Sequence, residues 1–266
     1  MTQRAAQFAD RVLSFEALDN FRDYGDYPAA HGTRLKKGQL YRSAHHGKAT
    51  DADLARLAAL DVAVVVDLRR KSERLRDPAR RPPGFRALVI DNDLGDGGEA
   101  PHVSFVANNV LTPDSVVGFM IEEYRRLPVE PRHHDLYARY FQALATADGP
   151  VVIHCAAGKD RTGILAALTH HIAGVHPDDI MDDYLLTNSA ARIEERAPEV
   201  ARNLGMATGR TPSFEAVACF LGVRPEYLTT AEQVIKETYG STDAYLAEVL
   251  GVTPALRDQL VKKLVG

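Results

Sequence analysis

The chain has 266 residues, of which 45% are hydrophobic and 26% charged, and its 32 basic and 36 acidic side chains give a net charge of −4. These values are ordinary for a globular protein and provide no overall positive charge, so no nucleic-acid partner is expected. The two cysteines form no disulfide framework, and neither a plain signal segment nor a membrane-spanning run is apparent. We therefore expect a cytoplasmic protein, with secretion without a plain signal left open.

Predicted strands and helices alternate in the first part of the chain. β-branched and apolar runs predict four strands, at 39–42, 62–67, 86–90 and 150–154. Between the first two lies a helical pattern over 51–60, for which Thr50 is a suitable N-cap. Strands that alternate with helices favour an α/β fold with a central, mostly parallel sheet flanked by helices.

About sixty residues separate the third and fourth predicted strands. They begin with a glycine-rich turn at 95–98 and continue with helical patterns over 114–126 and 134–145. Because a long insertion beside an active-site strand often covers the site, residues 95–145 are a candidate lid.

After residue 175 the sequence has only helical patterns. The candidate helices, beyond one that begins at Pro177, are 189–204, 213–221, 231–239, 243–250 and 254–265. We interpret residues 176–266 as a helical layer of the same domain, which then spans residues 1–266.

The most informative segment follows the last predicted strand and reads His154-Cys155-Ala156-Ala157-Gly158-Lys159-Asp160-Arg161-Thr162-Gly163. A helical pattern follows it, so the loop ends at a helix N-terminus, where free N–H groups and the helix dipole favour an anion. The same field favours the thiolate form of Cys155, which is the nucleophilic form of cysteine. Arg161, after five intervening residues, has a planar fork that can hold two phosphoryl oxygens.

This pattern predicts a phosphate cradle with a nucleophile at its floor. The cradle residues are Ala156, Ala157, Gly158, Lys159, Asp160 and Arg161. Thr162 is expected to donate a hydrogen bond to the thiolate, and His154 to bond to the loop backbone. Lys159 either binds a second phosphate or only adds positive potential.

A proton donor for the leaving group is also required, and three carboxylates are candidates. Asp160 lies inside the loop. Asp67 ends a buried-strand pattern at its carboxyl end, although pairing with Arg69 or Arg42 would give it a structural role instead. Asp93 occupies a similar position in a turn rich in glycine and aspartate.

The loop resembles the signature of cysteine-dependent phosphatases, and its Gly-Lys-Asp-Arg-Thr-Gly part is similar to bacterial tyrosine/lipid phosphatases of the mycobacterial protein tyrosine phosphatase B type. Residues 20–23 with 38–43, and Asp67-Leu68-Arg69 followed by Glu73, resemble two further segments of that family. The resemblance implies a phosphoric monoester hydrolase with a phosphocysteine intermediate, Asp160 as general acid, and helices that cover the loop. The implied substrates are phosphotyrosine proteins or phosphoinositides.

Several alternatives stay open. An inositol polyphosphate phosphatase of the phytase type differs only in substrate, and a non-catalytic phosphate-binding module needs the same loop. A rhodanese-like sulfurtransferase is disfavoured by Arg161 at this spacing. Eight basic residues within 69–86 either attract anionic substrates and transient contacts with lipid head groups, or form a solvated face. No metal is expected, because the three His-His pairs lack the spacing of metal ligands. No cofactor is expected either. The oligomeric state is not predicted.

Overall fold

A computed structural model describes residues 10–95 and 101–266 of the chain. A five-stranded sheet with the order β1-β2-β5-β3-β4 lies at its centre. The strands are β1 (Arg22–Asp23), β2 (Leu40–Ser43), β3 (Val64–Asp67), β4 (Leu88–Ile90) and β5 (Val151–His154). Only β1 runs antiparallel to its neighbour, so the predicted, mostly parallel sheet is confirmed.

The helices cover both faces of this sheet. Their bounds are α1 Asp51–Ala59, α2 Lys71–Arg76, α3 Pro101–Asn108, α4 Pro113–Arg126, α5 Pro131–Thr146, α6 Asp160–Ala173, α7 Pro177–Leu185, α8 Thr187–Ala190, α9 Ile193–Thr208, α10 Phe214–Leu221, α11 Pro225–Tyr239, α12 Thr242–Ala244 with a π-helical turn at Tyr245–Val249, and α13 Pro254–Leu264. The predicted N-cap is confirmed, because the Thr50 hydroxyl accepts from the Asp53 amide in a capping box.

Two predicted helix boundaries are wrong. The helix predicted at 134–145 begins earlier, because Pro131 occupies the first turn of α5, where its missing N–H costs nothing. The predicted helix at 189–204 is divided between α8 and α9, because Arg192 adopts a left-handed conformation with φ +50°. The glycine-rich turn at 95–98 lies outside the described residues after position 95.

Alternation along the strands divides the core into two layers. Val64 and Val66 of β3 face the larger cluster, which contains side chains of α4 to α7 and of the C-terminal helices. Val65 and Val152 face a smaller cluster that α1 closes. This arrangement follows from the two-residue period of a strand, which sends successive side chains to opposite faces.

The strand register brings the functional edge together. His154 at the end of β5 lies opposite Ser43 of β2 and Asp67 of β3. Because these three strands are parallel, their carboxyl ends meet at one edge, where active sites of α/β proteins form. The loop that follows β5 therefore begins in the middle of that edge.

A buried ion cluster connects this edge with α7. Asp183 accepts from Arg22 Nε at 3.2 Å and from Arg42 Nη1 at 2.7 Å, and all three side chains are buried. Burial alone would raise the pKa of Asp183, but the two guanidinium groups outweigh it and hold that pKa below its usual range. The carboxylate is therefore charged in the folded protein.

We expect Asp183→Asn to destabilise the fold by about 3–5 kcal/mol, because two buried cations lose their counter-charge. The pKa of Asp183 is lower in the folded than in the unfolded protein. The carboxylate therefore contributes fully to the free energy of unfolding above its unfolded pKa of ~3.9, and this contribution is lost as the pH falls through its folded pKa. Urea unfolding at pH 7 and at pH 3 measures this, and the gap between wild type and variant narrows in acid. Asp178→Asn on the exposed part of α7 serves as control, with a loss below ~1 kcal/mol.

Candidate active site

The segment from Cys155 to Arg161 connects the central strand β5 to α6. Cys155 is 1% exposed, and α6 begins at Asp160. The predicted strand, loop and helix N-terminus are therefore in place, and the positive end of the helix dipole faces the loop.

Side chains from outside the loop hold it through hydrogen bonds to the carbonyl oxygens of the loop. Asn20 Nδ2 donates to the carbonyls of Ala157 and Gly158 at 3.0 and 2.9 Å, and Arg42 Nη2 donates to Gly158 O at 3.0 Å. Among the described residues no acceptor takes an amide N–H of residues 156–161. The acceptors of the loop are thus engaged, while its donors are free for an anion.

Gly158 is required by the curvature of the loop. Its φ is +68°, and a Cβ atom there would lie 2.2 Å from the carbonyl oxygen of Ser43. Any side chain would push the loop away from β2.

Glu73 of α2 fixes the guanidinium of Arg161. Arg161 Nη1 donates to Glu73 Oε2 at 2.6 Å and to Leu68 O at 3.1 Å, while Nη2 donates to Glu73 Oε1 at 2.8 Å. Burial would raise the pKa of Glu73, but the charge of Arg161 outweighs it and holds that pKa below its usual range. Three of the five N–H donors are used, so Nε–H and one Nη2–H, along one edge of the fork, have no acceptor among the described residues.

Asp160 accepts two hydrogen bonds on the same oxygen. Lys159 Nζ and Tyr124 OH each donate to Asp160 Oδ1 at 2.9 Å, and Tyr184 OH donates to Tyr124 OH at 2.6 Å. Burial raises the pKa of both tyrosines well above the ordinary value, so both hydroxyls keep their protons. Lys159 is only 5% exposed, and its ammonium group pairs with Asp160.

The loop opens into a cavity of about 170 Å³. Its walls include Pro101 and His102 of α3, Phe119, Met120 and Glu123 of α4, and Phe220 and Leu221 of α10. Helices of the predicted insertion thus line the cavity, but α10 from the C-terminal layer lines it as well. Whether residues 95–145 act as a lid stays a prediction.

Comparison with known proteins agrees with this geometry. A model of the tyrosine phosphatase family matches residues 13–266. The chain belongs to the tyrosine phosphatase family. It is therefore a phosphoric monoester hydrolase with a cysteine-dependent mechanism, and the family resemblance seen in the sequence is confirmed.

Two relatives span nearly the whole phosphatase. A tyrosine-protein phosphatase of Cupriavidus necator is 34% identical over 247 residues, which cover 91% of this chain and 85% of that one. The triple specificity protein phosphatase PtpB of Mycobacterium tuberculosis is 34% identical over 283 residues, with 93% and 96% covered. Among solved structures, Pseudomonas aeruginosa TpbA matches with a TM-score of 0.32 and 17% identity, covering 71% of this chain and 89% of that one.

Asp67 of the phosphatase is tied to Arg69. Arg69 donates to Oδ1 from Nε at 2.8 Å and to Oδ2 from Nη2 at 2.7 Å, and His154 Nε2 lies 3.7 Å from Oδ2. Burial would raise the pKa of Asp67, but the hydrogen-bonded guanidinium of Arg69 outweighs it and holds that pKa below its usual range. Burial lowers the pKa of His154 to about 4, so this ring is neutral near pH 7. Pairing with Arg69 is confirmed, and pairing with Arg42 is wrong.

Three other predicted residues lie apart from the cavity. The Asp93 side chain is 53% exposed and pairs with Lys71 at 3.0 Å and with Arg74. It does not line the cavity, so it is poorly placed for proton donation. Neither the Thr162 hydroxyl nor a ring nitrogen of His154 has a hydrogen-bond partner among the described residues. The predicted bonds of Thr162 to Cys155 and of His154 to the loop backbone are therefore not formed in this structure.

One histidine in each of two His-His pairs is buried and lies within hydrogen-bond distance of a backbone carbonyl. His133 Nδ1 lies 3.0 Å from Leu127 O, and His170 Nε2 lies 2.6 Å from Tyr24 O. Within residues 10–95 and 101–266, no group of three His, Cys, Asp or Glu side chains could hold a metal ion. No helix in the same ranges combines the length and the apolarity that crossing a bilayer demands.

Sequence reasoning missed several residues around the loop. Glu73 belongs to a segment that resembles the family, and this is the only signal that points to it. Tyr124 and Phe220 stand in helices distant in sequence and belong to no motif. Asn20 lies in the first family-like segment, but nothing in the sequence indicates which atoms it binds.

Proposed function

We propose that the phosphatase hydrolyses phosphotyrosine residues of proteins through a phosphocysteine at Cys155. The observation that carries this proposal is the set of donors around the buried thiol. No described residue accepts a hydrogen bond from the amide N–H groups of the loop or from one edge of Arg161. Such a donor set suits the three equatorial oxygens of a transferring phosphoryl group.

The reaction has two steps. The Cys155 thiolate attacks phosphorus in line, the phosphorus–sulfur bond forms, and the ester bond to the phenolic oxygen breaks while Asp160 gives that oxygen a proton. Water then attacks phosphorus, Asp160 takes its proton, and the phosphorus–sulfur bond breaks to release orthophosphate and the thiolate.

Asp160 is the proposed general acid and base. Both of its donors bind Oδ1, so Oδ2 is free to carry the proton, and no described residue donates to it. Asp160 also lines the cavity, whereas Asp67 does not. The tyrosine and lysine contacts hold the carboxyl group in one orientation.

The cavity walls support an aromatic ester. The thiol is deeply buried, and Phe119 and Phe220 line the cavity into which the loop opens, which suits a flat aromatic ring. The two additional cations of the wall are already paired, Lys159 with Asp160 and Arg70 with Glu130. Phosphoinositides, which the family resemblance implies, therefore stay a prediction. The cytoplasmic location and the single phosphatase domain over residues 1–266 are also part of this proposal.

A substrate panel tests the proposal. We expect kcat/KM to be highest for phosphotyrosine peptides and lower for phosphoserine peptides, phosphoinositide vesicles and inositol hexakisphosphate. Turnover that is highest for inositol hexakisphosphate would assign the phytase-type alternative. Tight peptide binding without any phosphate release would assign a binding module.

Asp160→Asn is expected to lower kcat for a phosphotyrosine peptide by about 10²- to 10³-fold, since the phenolic oxygen, with a pKa near ~10, needs a proton when it leaves. Dinitrophenyl phosphate has a far better leaving group, so Asp160→Asn should lower kcat for this substrate much less. Tyr124→Phe removes one hydrogen bond to Asp160 Oδ1. It should lower kcat for the phosphotyrosine peptide about tenfold and again affect dinitrophenyl phosphate less. An equal loss for both substrates in Asp160→Asn would show that another group is the acid.

A further inference from the structure

The basic run within 69–86 is mostly neutralised by carboxylates. Six of its eight cations lie within 4.0 Å of a carboxylate oxygen, and these are Arg69, Arg70, Lys71, Arg74, Arg76 and Arg80. Among the described residues, Arg81 and Arg86 have no such partner. Both line the same cavity.

This cavity is separate from the catalytic one. It has a volume of about 440 Å³, and no residue lines both cavities. Val65 and Val152 form its floor on the sheet, while Leu57 of α1 and Phe85 form part of its walls. A space of this size and composition is typical of small-molecule sites.

Arg81 supplies the polar anchor of the cavity. Its Nη1 bonds to His46 Nδ1 at 3.0 Å, and its Cζ atom lies 5.0 Å from the centre of the Phe85 ring. Only one of its five N–H donors has an acceptor among the described residues. Burial lowers the pKa of Arg81, so an anion there would restore the stabilisation that water provides elsewhere.

The other charges of the cavity lie at its opposite end. Asp61 and Asp148 precede β3 and β5, whereas His46 stacks on His154 at the far end of β5, with ring centroids 4.6 Å apart. Four strand residues separate these ends by roughly 10 Å. The cavity thus has a cationic end at Arg81, apolar walls, and an end of mixed charge where Arg86 precedes β4.

We propose that this cavity binds a small organic anion with an apolar body, whose acidic group pairs with Arg81. This cavity lies next to His154, the residue before Cys155, because the His46 ring bonds to Arg81 and stacks on the His154 ring. The site does not depend on the proposed reaction or on its substrate.

Octanoate is a suitable probe, because its carboxylate matches Arg81 and its alkyl chain matches the apolar walls. In methyl and imidazole NMR titrations of wild-type protein saturated with orthophosphate, we expect saturable shifts at Val65, Val152 and His46. Uncharged octanol should bind at least about tenfold more weakly, in line with the loss of one charge-assisted contact. Orthophosphate alone should not shift these signals.

Two variants make the test specific. Arg81→Gln keeps a donor for His46 but loses the charge, so the octanoate Kd should rise about tenfold. Ala58→Trp fills the cavity from the exposed side of α1 and should abolish binding although Arg81 is intact. Arg76→Gln, in the same run and paired with Asp77 at the surface, should leave the Kd unchanged.

The proposal is overturned by three results. These are no saturable octanoate binding, an equal Kd in wild type, Arg81→Gln and Ala58→Trp, or shifts confined to the catalytic cavity around Phe119 and Met120. Thermal melting of each variant establishes that a lost signal reflects lost binding and not an unfolded protein.

Discussion

Replacing Cys155 by serine is expected to lower kcat/KM for a phosphotyrosine peptide by at least about 10⁴-fold. A thiolate attacks phosphorus without help, whereas a serine hydroxyl needs a base to remove its proton. Among the described residues, no side chain accepts a hydrogen bond from the Cys155 thiol, so none is in place to take a proton from a serine there. Steady-state assays measure the loss, and acid-quenched single turnovers should show a phosphocysteine in wild type and none in the variant.

The second cysteine provides a matched control. Cys219 lies half-buried in α10 and does not line the catalytic cavity, so Cys219→Ser should change kcat/KM by less than about twofold. Cys155→Ser should still bind orthophosphate, because the donors of the loop are unchanged. Normal turnover by Cys155→Ser would refute the phosphocysteine mechanism.

The strand, the loop and the helix around Cys155 were predictable because their signals are local. A β-branched run, a glycine in the loop and an apolar helical pattern follow each other within about twenty residues. Propensity and periodicity act over that length, so β5 agrees with its predicted bounds within about one residue, and a helix follows the loop as expected. Strand β1 was not predicted, because a strand of two residues is too short to show an alternation of apolar and polar side chains.

The partners of the loop were not predictable in the same way. Glu73 lies 88 positions before Arg161, and Tyr124 lies 36 positions before Asp160. Their contacts depend on how α2 and α4 pack against the sheet, which no local pattern encodes. The identity of the partner of Asp67 shows the same limit, since the sequence left Arg69 and Arg42 open while only Arg69 is within reach.

Charge patterning also misled in a specific way. Two expectations were open for the run within 69–86, a solvated face or an attraction for anionic substrates. The carboxylates that pair with Arg70 and Arg80 come from positions 130 and 51, so the net field of the run is much weaker than its sequence suggests. Only Arg70 from this run lines the catalytic cavity, and Glu130 accompanies it.

We expect Arg161→Lys to lower kcat/KM by about 10³-fold while the fold is preserved. A lysine can still pair with Glu73, but it has no second donor parallel to the first, and the free Nε and Nη2 edge disappears. That edge matters most when charge moves onto the equatorial phosphoryl oxygens, so the loss should appear in kcat more than in KM.

Two variants separate the fork from its support. Glu73→Gln retains the guanidinium but removes its counter-charge, so we expect an intermediate loss of about tenfold, because Arg161 is less firmly oriented. Arg76→Lys at the surface should leave both kinetic constants unchanged. If Arg161→Lys lost no more than Glu73→Gln, the charge at this position would be sufficient, and bidentate contact with the phosphoryl group would not be the source of the rate.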